Sequence, residues 1–235
     1  PRPVHPDGHP DLLVDPAGGA EGTLTVSGAG ASVTVRAVAE KPSARQARAL
    51  RGFVEAGGYV AIDAEHHVRA VGSSGGRVRW RRIERIGRTG AGVTPWPVTA
   101  ERQTPGGAGP RLEYEVGLVS VPAGGEVTVW AYVSPRNPAL ATGGLRYAVS
   151  FDDAEPQVVD IHAVTGADDG LMNKQWARNT SDNVNATATR HRVAGPGVRR
   201  LKFWMVDPTV ILQRLVIDTG GLTPTYLGPL ESRRI

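Results

Sequence analysis

No cysteine occurs in the 235 residues. That excludes a disulfide framework, a thiolate metal site and a cysteine nucleophile, and it leaves the core, or a hard cation held by oxygens, to supply stability. Apolar runs are only a few residues long, far below the ~20 needed to cross a bilayer, and no basic region followed by an apolar run opens the chain. A soluble protein with no membrane partner is expected. Charge of one sign is not massed either: the net +4 comes from arginines scattered along the chain. This predicts no nucleic-acid partner, whereas a mild positive field suits a uronate-bearing polysaccharide. Nucleophile-elbow and phosphate-loop motifs are also missing, and glycine-rich pieces such as Gly72-Ser-Ser-Gly-Gly lie between strand patterns as loops.

What is abundant is punctuation. Thirty glycines and eighteen prolines separate short segments rich in Val, Ile, Thr and aromatics, which reads as strands and turns. Residues 1–21 combine proline, glycine and charge with little to bury and read as a flexible segment in which His5 and His9 are solvated. Residues 22–51 read as a hairpin around Gly28-Ala-Gly followed by a short helix or ordered linker near residues 42–51, left from a preceding domain. Residues 52–235 then carry nine strand patterns, beginning near Tyr59, Val78, Leu112, Glu126, Leu145, Gln157, Ala186, Val198 and Val210. The fold class is all-β, an antiparallel, jelly-roll-like (galactose-binding-like) β-sandwich with an N-terminal hairpin and linker. Long loops are expected at 85–110 and 162–185, where ligand-binding residues tend to collect.

Several motifs resemble the C-terminal domain of family 115 glycoside hydrolases, the xylan α-1,2-glucuronidases. They are Tyr59-Val-Ala-Ile-Asp-Ala-Glu-His-His, Ile86-Gly-Arg-Thr-Gly, Leu112-Glu-Tyr, Arg146-Tyr-Ala-Val-Ser-Phe-Asp-Asp, Val206-Asp-Pro-Thr-Val-Ile-Leu-Gln-Arg-Leu-Val-Ile-Asp and Tyr226-Leu-Gly-Pro-Leu-Glu-Ser, in that order over residues 52–232. The family's usual wording at the first motif has Glu and Tyr where this chain has Asp63 and His67. The resemblance implies an accessory domain whose catalytic barrel lies elsewhere in a parent enzyme, in a secreted or periplasmic setting. Its partners would be that catalytic domain, glucuronoxylan or another uronate-bearing glycan, and a second copy if the domain dimerises. The alternative role is structural, in interdomain or dimer contact without a ligand.

Candidate residues follow from chemistry. A pyranose needs a flat apolar face and fixed polar groups. In Glu126–Ser134, Val127, Val129, Ala131 and Val133 alternate with Thr128, Trp130 and Tyr132, so Trp130 and Tyr132 form either a stacking platform or a face packed under a second sheet. Trp96 between two prolines and Trp176 before a polar stretch are loop candidates. Trp204 with Lys202, joined by Arg214 if Asp207-Pro-Thr turns the chain into a neighbouring strand, would suit a uronate. Jelly-roll carbohydrate modules often hold a structural Ca²⁺ between first and last strands, and Asp63, Glu65 and Asp218 are the carboxylates available for it. No catalytic pair is expected: Glu113 and Glu115 share one strand face and read as a solvated face, and Asp152-Asp153 reads as turn chemistry.

Overall fold

A computed structural model describes residues 20–39, 42–88, 90–137, 144–164, 177–223 and 225–235. Fourteen strands follow the chain: β1 (Ala20–Gly28), β2 (Ala31–Ala39), β3 (Phe53–Val54), β4 (Tyr59–Asp63), β5 (Arg69–Val71), β6 (Arg79–Glu84), β7 (Ala91–Trp96), β8 (Arg111–Leu118), β9 (Glu126–Val133), β10 (Arg146–Phe151), β11 (Gln157–Asp160), β12 (Asn185–Arg192), β13 (Gly197–Met205) and β14 (Leu212–Asp218). Period-two alternation in the sequence becomes burial: Val127, Val129, Ala131 and Val133 of β9 are at most 1% exposed, while the residues between them are half-buried or exposed.

Twelve of the strands form two six-stranded sheets. One runs β11-β10-β13-β8-β3, with β5 also on β8; the other runs β12-β9-β14-β7-β6, with β4 also on β14. Among the described residues only the β3–β8 pairing is parallel. Between the sheets lies one core in which Leu112, Tyr114 and Val116 of β8 and Leu201 and Phe203 of β13 join Val129, Ala131, Leu215 and Ile217 of the opposite sheet. Each such large aliphatic side chain contributes about 2–3 kcal/mol through burial. Tyr147 stacks on Phe203 at 4.9 Å, and Tyr114 donates its hydroxyl to the Ala64 carbonyl at 2.8 Å. Burial pushes both phenols well above their ordinary range, so they stay neutral donors.

Buried polar residues close the seams. Glu55 accepts from the amides of Val119 and Ser120 at 2.7 and 2.8 Å and from Thr219 Oγ1 at 2.7 Å, tying a loop of one sheet to the end of β14 in the other. Asp207, 1% exposed, accepts from Arg102 Nε and Arg146 Nε, both at 2.8 Å. Beyond β14 the C-terminal segment crosses between sheets: Ser232 pairs with Ala61 beside β4, and Arg233 and Ile235 accept from Val54 and Gly52 beside β3.

Two local expectations change. Residues 85–110 contain a strand, β7, which Gly92 and Pro95 disguise; a Cβ on Gly92 would sit 2.7 Å from Ile211 Cγ2, so close packing explains the glycine. The segment Asp207-Pro-Thr does not join neighbouring strands, because β13 and β14 belong to different sheets.

By contact density the chain divides into Pro1–Arg48 and Ala49–Ile235. In the first unit β1 and β2 pair along nine positions, with Leu24, Val26, Val33 and Val35 on one exposed face. The short helix Ala44–Ala49 starts on a reciprocal cap, the Gln46 amide donating to Ser43 Oγ and the Ser43 amide to Gln46 Oε1. His5 and His9 lie outside the described residues.

Candidate functional site

On β9, the alternation that buries the valines turns Trp130 and Tyr132 outward from the second sheet. Their cross-strand neighbours on β12 are Ala188 and Ala186, and on β14 Val216 and Arg214. The alanines are short, so the rings stand above the sheet on that side. A groove of about 290 Å³ forms there, floored by Trp130 and Tyr132 and walled by Arg88, Arg178, Asn179 and Asp182.

The walls are built by loops that one residue holds in place. β14 carries an irregularity between Leu212 and Arg214, and the extra residue, Gln213, is fully buried. Its amide nitrogen donates to Ser134 Oγ at 3.1 Å and to the Asn183 carbonyl at 2.9 Å, while its oxygen accepts from the Arg88 amide at 3.0 Å. Gly87 has φ +73°, and a Cβ there would lie 2.2 Å from the Gln213 side chain, so the turn before Arg88 requires glycine. Arg88 then donates Nε to the Asp182 carbonyl at 2.7 Å, approaches the Asp182 carboxylate at 3.3 Å and stacks over Tyr226 at 4.4 Å. Arg88 and the more exposed Arg178, the latter at 3.9 Å, share the Asp182 carboxylate, so the groove keeps a mild positive charge. Burial pushes the Tyr132 phenol up, opposed by Arg214 and Arg88. An aromatic floor beside an oriented guanidinium–carboxylate pair can take the C–H face of a pyranose and exchange hydrogen bonds with its hydroxyls.

Of the residues selected from sequence, the structure brings Trp130 and Tyr132 together. Trp96 lines a separate depression, with Arg81 stacked 4.9 Å from its ring centre. Trp176 lies outside the described residues. The set Trp204, Lys202 and Arg214 is corrected: Trp204 and Lys202 are on β13 and Arg214 on β14, in opposite sheets. Trp204 is 3% exposed, lies under Arg111 at 4.9 Å and donates Nε1 to Ser150 Oγ at 2.9 Å, so its indole is packed away from ligand. Arg214 is committed to Asp63 at 2.7 Å and to the Pro229 carbonyl.

The three carboxylates selected for calcium do not converge either. β4 and β14 do pair, but in a register that places Asp63 opposite Arg214 and Asp218 opposite Tyr59. Four strand positions, about 13 Å, separate the two carboxylates along the ladder. Glu65 pairs with Arg82, and Asp218 caps the amides of Gly220 and Leu222 at 2.8 and 3.2 Å. Asp63, His66 and Glu231 do gather within 4.8 Å, yet Arg214 holds Asp63, and Glu231 accepts from the Asp63 amide while contacting His66 Nδ1, each at 2.8 Å. The Glu113–Glu115 face is also corrected from solvated to ion-paired: Glu113 is 3% exposed between Arg111 at 2.7 Å and Arg200 at 3.3 Å. Asp152 has the turn conformation expected of it, at φ 47°, but its carboxylate accepts from the Arg200 amide of neighbouring β13, 48 positions along the chain, instead of from a nearby turn amide.

Sequence reasoning missed Arg88, Asp182 and Gln213. The available signal was the Ile86-Gly-Arg-Thr-Gly motif, whose glycine–arginine step forms the wall.

Residues 52–231 match the model of the glycosyl hydrolase family 115 C-terminal domain. Among solved structures, the chain is similar to a family 115 4-O-methyl-α-glucuronidase with specificity for decorated arabinogalactans, at 18% identity and TM-score 0.46, over 67% of this chain and 17% of that one. It is also similar to the C-terminal family 6 carbohydrate-binding module of a marine laminarinase from Zobellia galactanivorans, at 12% identity and TM-score 0.42, over 68% of this chain and 98% of that one. A family 35 carbohydrate-binding module from Clostridium thermocellum aligns at 12% identity and TM-score 0.41, over 68% of this chain and 96% of that module. No curated protein matches the chain.

Proposed function

The chain belongs to the glycosyl hydrolase family 115 C-terminal domains, and from that premise we propose that it is a non-catalytic accessory domain of an α-glucuronidase that binds polysaccharide, glucuronoxylan in the first instance. The observation that carries this reading is the outward Trp130–Tyr132 floor walled by Arg88 and Asp182. A stacking floor plus an oriented charged pair recognises a sugar ring while leaving no carboxylate unpartnered for acid–base work, since Arg88 neutralises Asp182. Hydrolysis would then belong to the rest of the parent enzyme, and this domain would hold polymer close to it.

Affinity electrophoresis and calorimetry against glucuronoxylan, unsubstituted xylan and cellulose test the reading. Saturable binding to a xylan, lost in Trp130→Ala with the melting temperature unchanged, is the expected result. Absence of binding to all three polymers would overturn it and favour a purely structural contact with the catalytic domain or a second copy.

A further inference from the structure

In the depression around Trp96 two arginines reach no carboxylate among the described residues, whereas both arginines of the groove reach Asp182. The depression is an open hollow of about 650 Å³ on the β6–β7 ladder, and Arg81, Arg82, Glu84, Thr94, Trp96 and Arg136 line it. In that ladder Arg79 stands opposite Trp96 and Arg81 opposite Thr94. Trp80, one position away, packs against the core, so Arg79, Arg81, Thr94 and Trp96 share the outward face.

Arg82 is spoken for by Glu65 and Glu84. Arg81 and Arg136 have no carboxylate partner among the described residues. Three lining arginines against Glu84, with Glu65 added as the second partner of Arg82, leave a net positive hollow (+3 − 2 = +1). Arg81 is also pre-positioned, its guanidinium lying 4.9 Å from the centre of the Trp96 ring. A guanidinium stacked on an indole keeps its N–H edge outward, and holding it flat removes much of the entropy cost of a two-point contact with a planar anion. Arg136 supplies a second cation from the segment after β9.

We propose that this hollow is a second, anion-selecting subsite that takes the carboxylate of an acidic sugar residue between Arg81 and Arg136, with the exposed part of Trp96 against the sugar ring. The groove takes a neutral ring and the hollow takes an acidic branch. Their joint use by one polymer rests on the carbohydrate-binding reading above, but the subsite itself is testable with a monosaccharide acid alone.

The test has two arms on the whole chain. In the first, sodium D-glucuronate, D-glucose and D-glucose 6-sulfate are titrated while the Trp96 indole N–H is followed by NMR, its resonance assigned with Trp96→Phe. Glucuronate is expected to shift it saturably, glucose not, and the Arg81→Gln/Arg136→Gln double variant is expected to abolish the response with an unchanged melting temperature. A shift that survives in the double variant, no shift with glucuronate, or a response to the sulfate sugar alone would overturn the proposal. In the second arm, the double variant is expected to bind glucuronoxylan about tenfold more weakly, a loss of charge-assisted contacts, and carboxyl-reduced glucuronoxylan unchanged. If no polymer binds while glucuronate still moves Trp96, the polymer reading fails and the subsite stands. If polymers bind with equal affinity whether or not they are carboxyl-reduced, the subsite fails and the polymer reading stands.

Discussion

His191 is 4% exposed, edge-on to Phe151 at 5.5 Å, with Nε2 bonded to Thr189 Oγ1 at 2.7 Å. Burial disfavours the imidazolium and pulls its pKa down to about 4. In the unfolded chain the same group takes a proton near pH 6.5. Unfolding therefore binds a proton between those values, so this contribution to stability is complete above about pH 6.5 and falls away as pH drops toward 4. The loss at pH 4 amounts to about 1–3 kcal/mol. Urea midpoints measured from pH 7 to pH 5 are expected to fall less steeply in His191→Gln than in the parent; equal slopes would remove the argument. At the same scale, two tryptophans on outward faces behave oppositely. Trp204→Ala empties a packed site and is expected to cost about 3–5 kcal/mol, leaving polymer affinity of the folded protein intact. Trp130→Ala is expected to leave stability within about 1 kcal/mol and to remove binding. Denaturant melts paired with affinity gels of both variants check the contrast. Alternation sets Trp130 apart from the valines of β9 and Trp204 apart from Leu201 and Phe203 of β13, but which indole is covered depends on Arg111 and the loop before it, and no local pattern records that.

Among the elements, the C-terminal segment does more than its lack of regular structure suggests. Its hydrogen bonds to Ala61 on one side and to Gly52 and Val54 on the other link an edge strand of each sheet. Removing residues 231–235 would strip those partners from strands at the seam, at a cost of about 2 kcal/mol. For a domain of this size that corresponds to a fall of about 4–8 °C in melting temperature, readable by calorimetry; an unchanged transition would show that the seam carries no stability. β9 and β12 were legible from alternation because each has a buried and an outward face. β7 was not: Gly92 and Pro95 are turn signals locally, and only contact with Ile211 and pairing with β6 make a strand of them.

At the scale of the whole molecule, β1 and β2 pair only with each other among the described residues, whereas the sandwich closes its own core from Ala49 onward. A fragment of residues 49–235 is accordingly expected to melt within about 2 °C of the full chain and to keep the same polymer affinity. A markedly lower transition would mean that the hairpin supports the sandwich. The two outward sites belong to this scale as well, because the groove needs β9, β14, the β6–β7 turn and residues 177–182 together. An increase in salt should weaken binding through the Trp96 hollow, where Arg81 and Arg136 reach no carboxylate among the described residues, more than binding in the groove, where Arg88 and Arg178 share Asp182. Affinities for glucuronoxylan and its carboxyl-reduced form, compared at low and high ionic strength, give that difference.

Composition and period by themselves determined the class. Short β-branched segments between glycines and prolines can bury area only by alternating, and alternation separates the valine face of β9 from its Trp130–Tyr132 face, leaving open whether a second sheet covers the aromatics. Tertiary structure alone decided which distant residues meet. Register set Asp63 against Arg214 instead of Asp218, sheet assignment parted Trp204 from Arg214, and the buried amide of Gln213 drew Arg88 and Asp182 to the aromatic floor. The reason is physical: burial preference is a property of one residue and its immediate neighbours, while ion pairing and groove shape depend on long-range registers that a period of two leaves open.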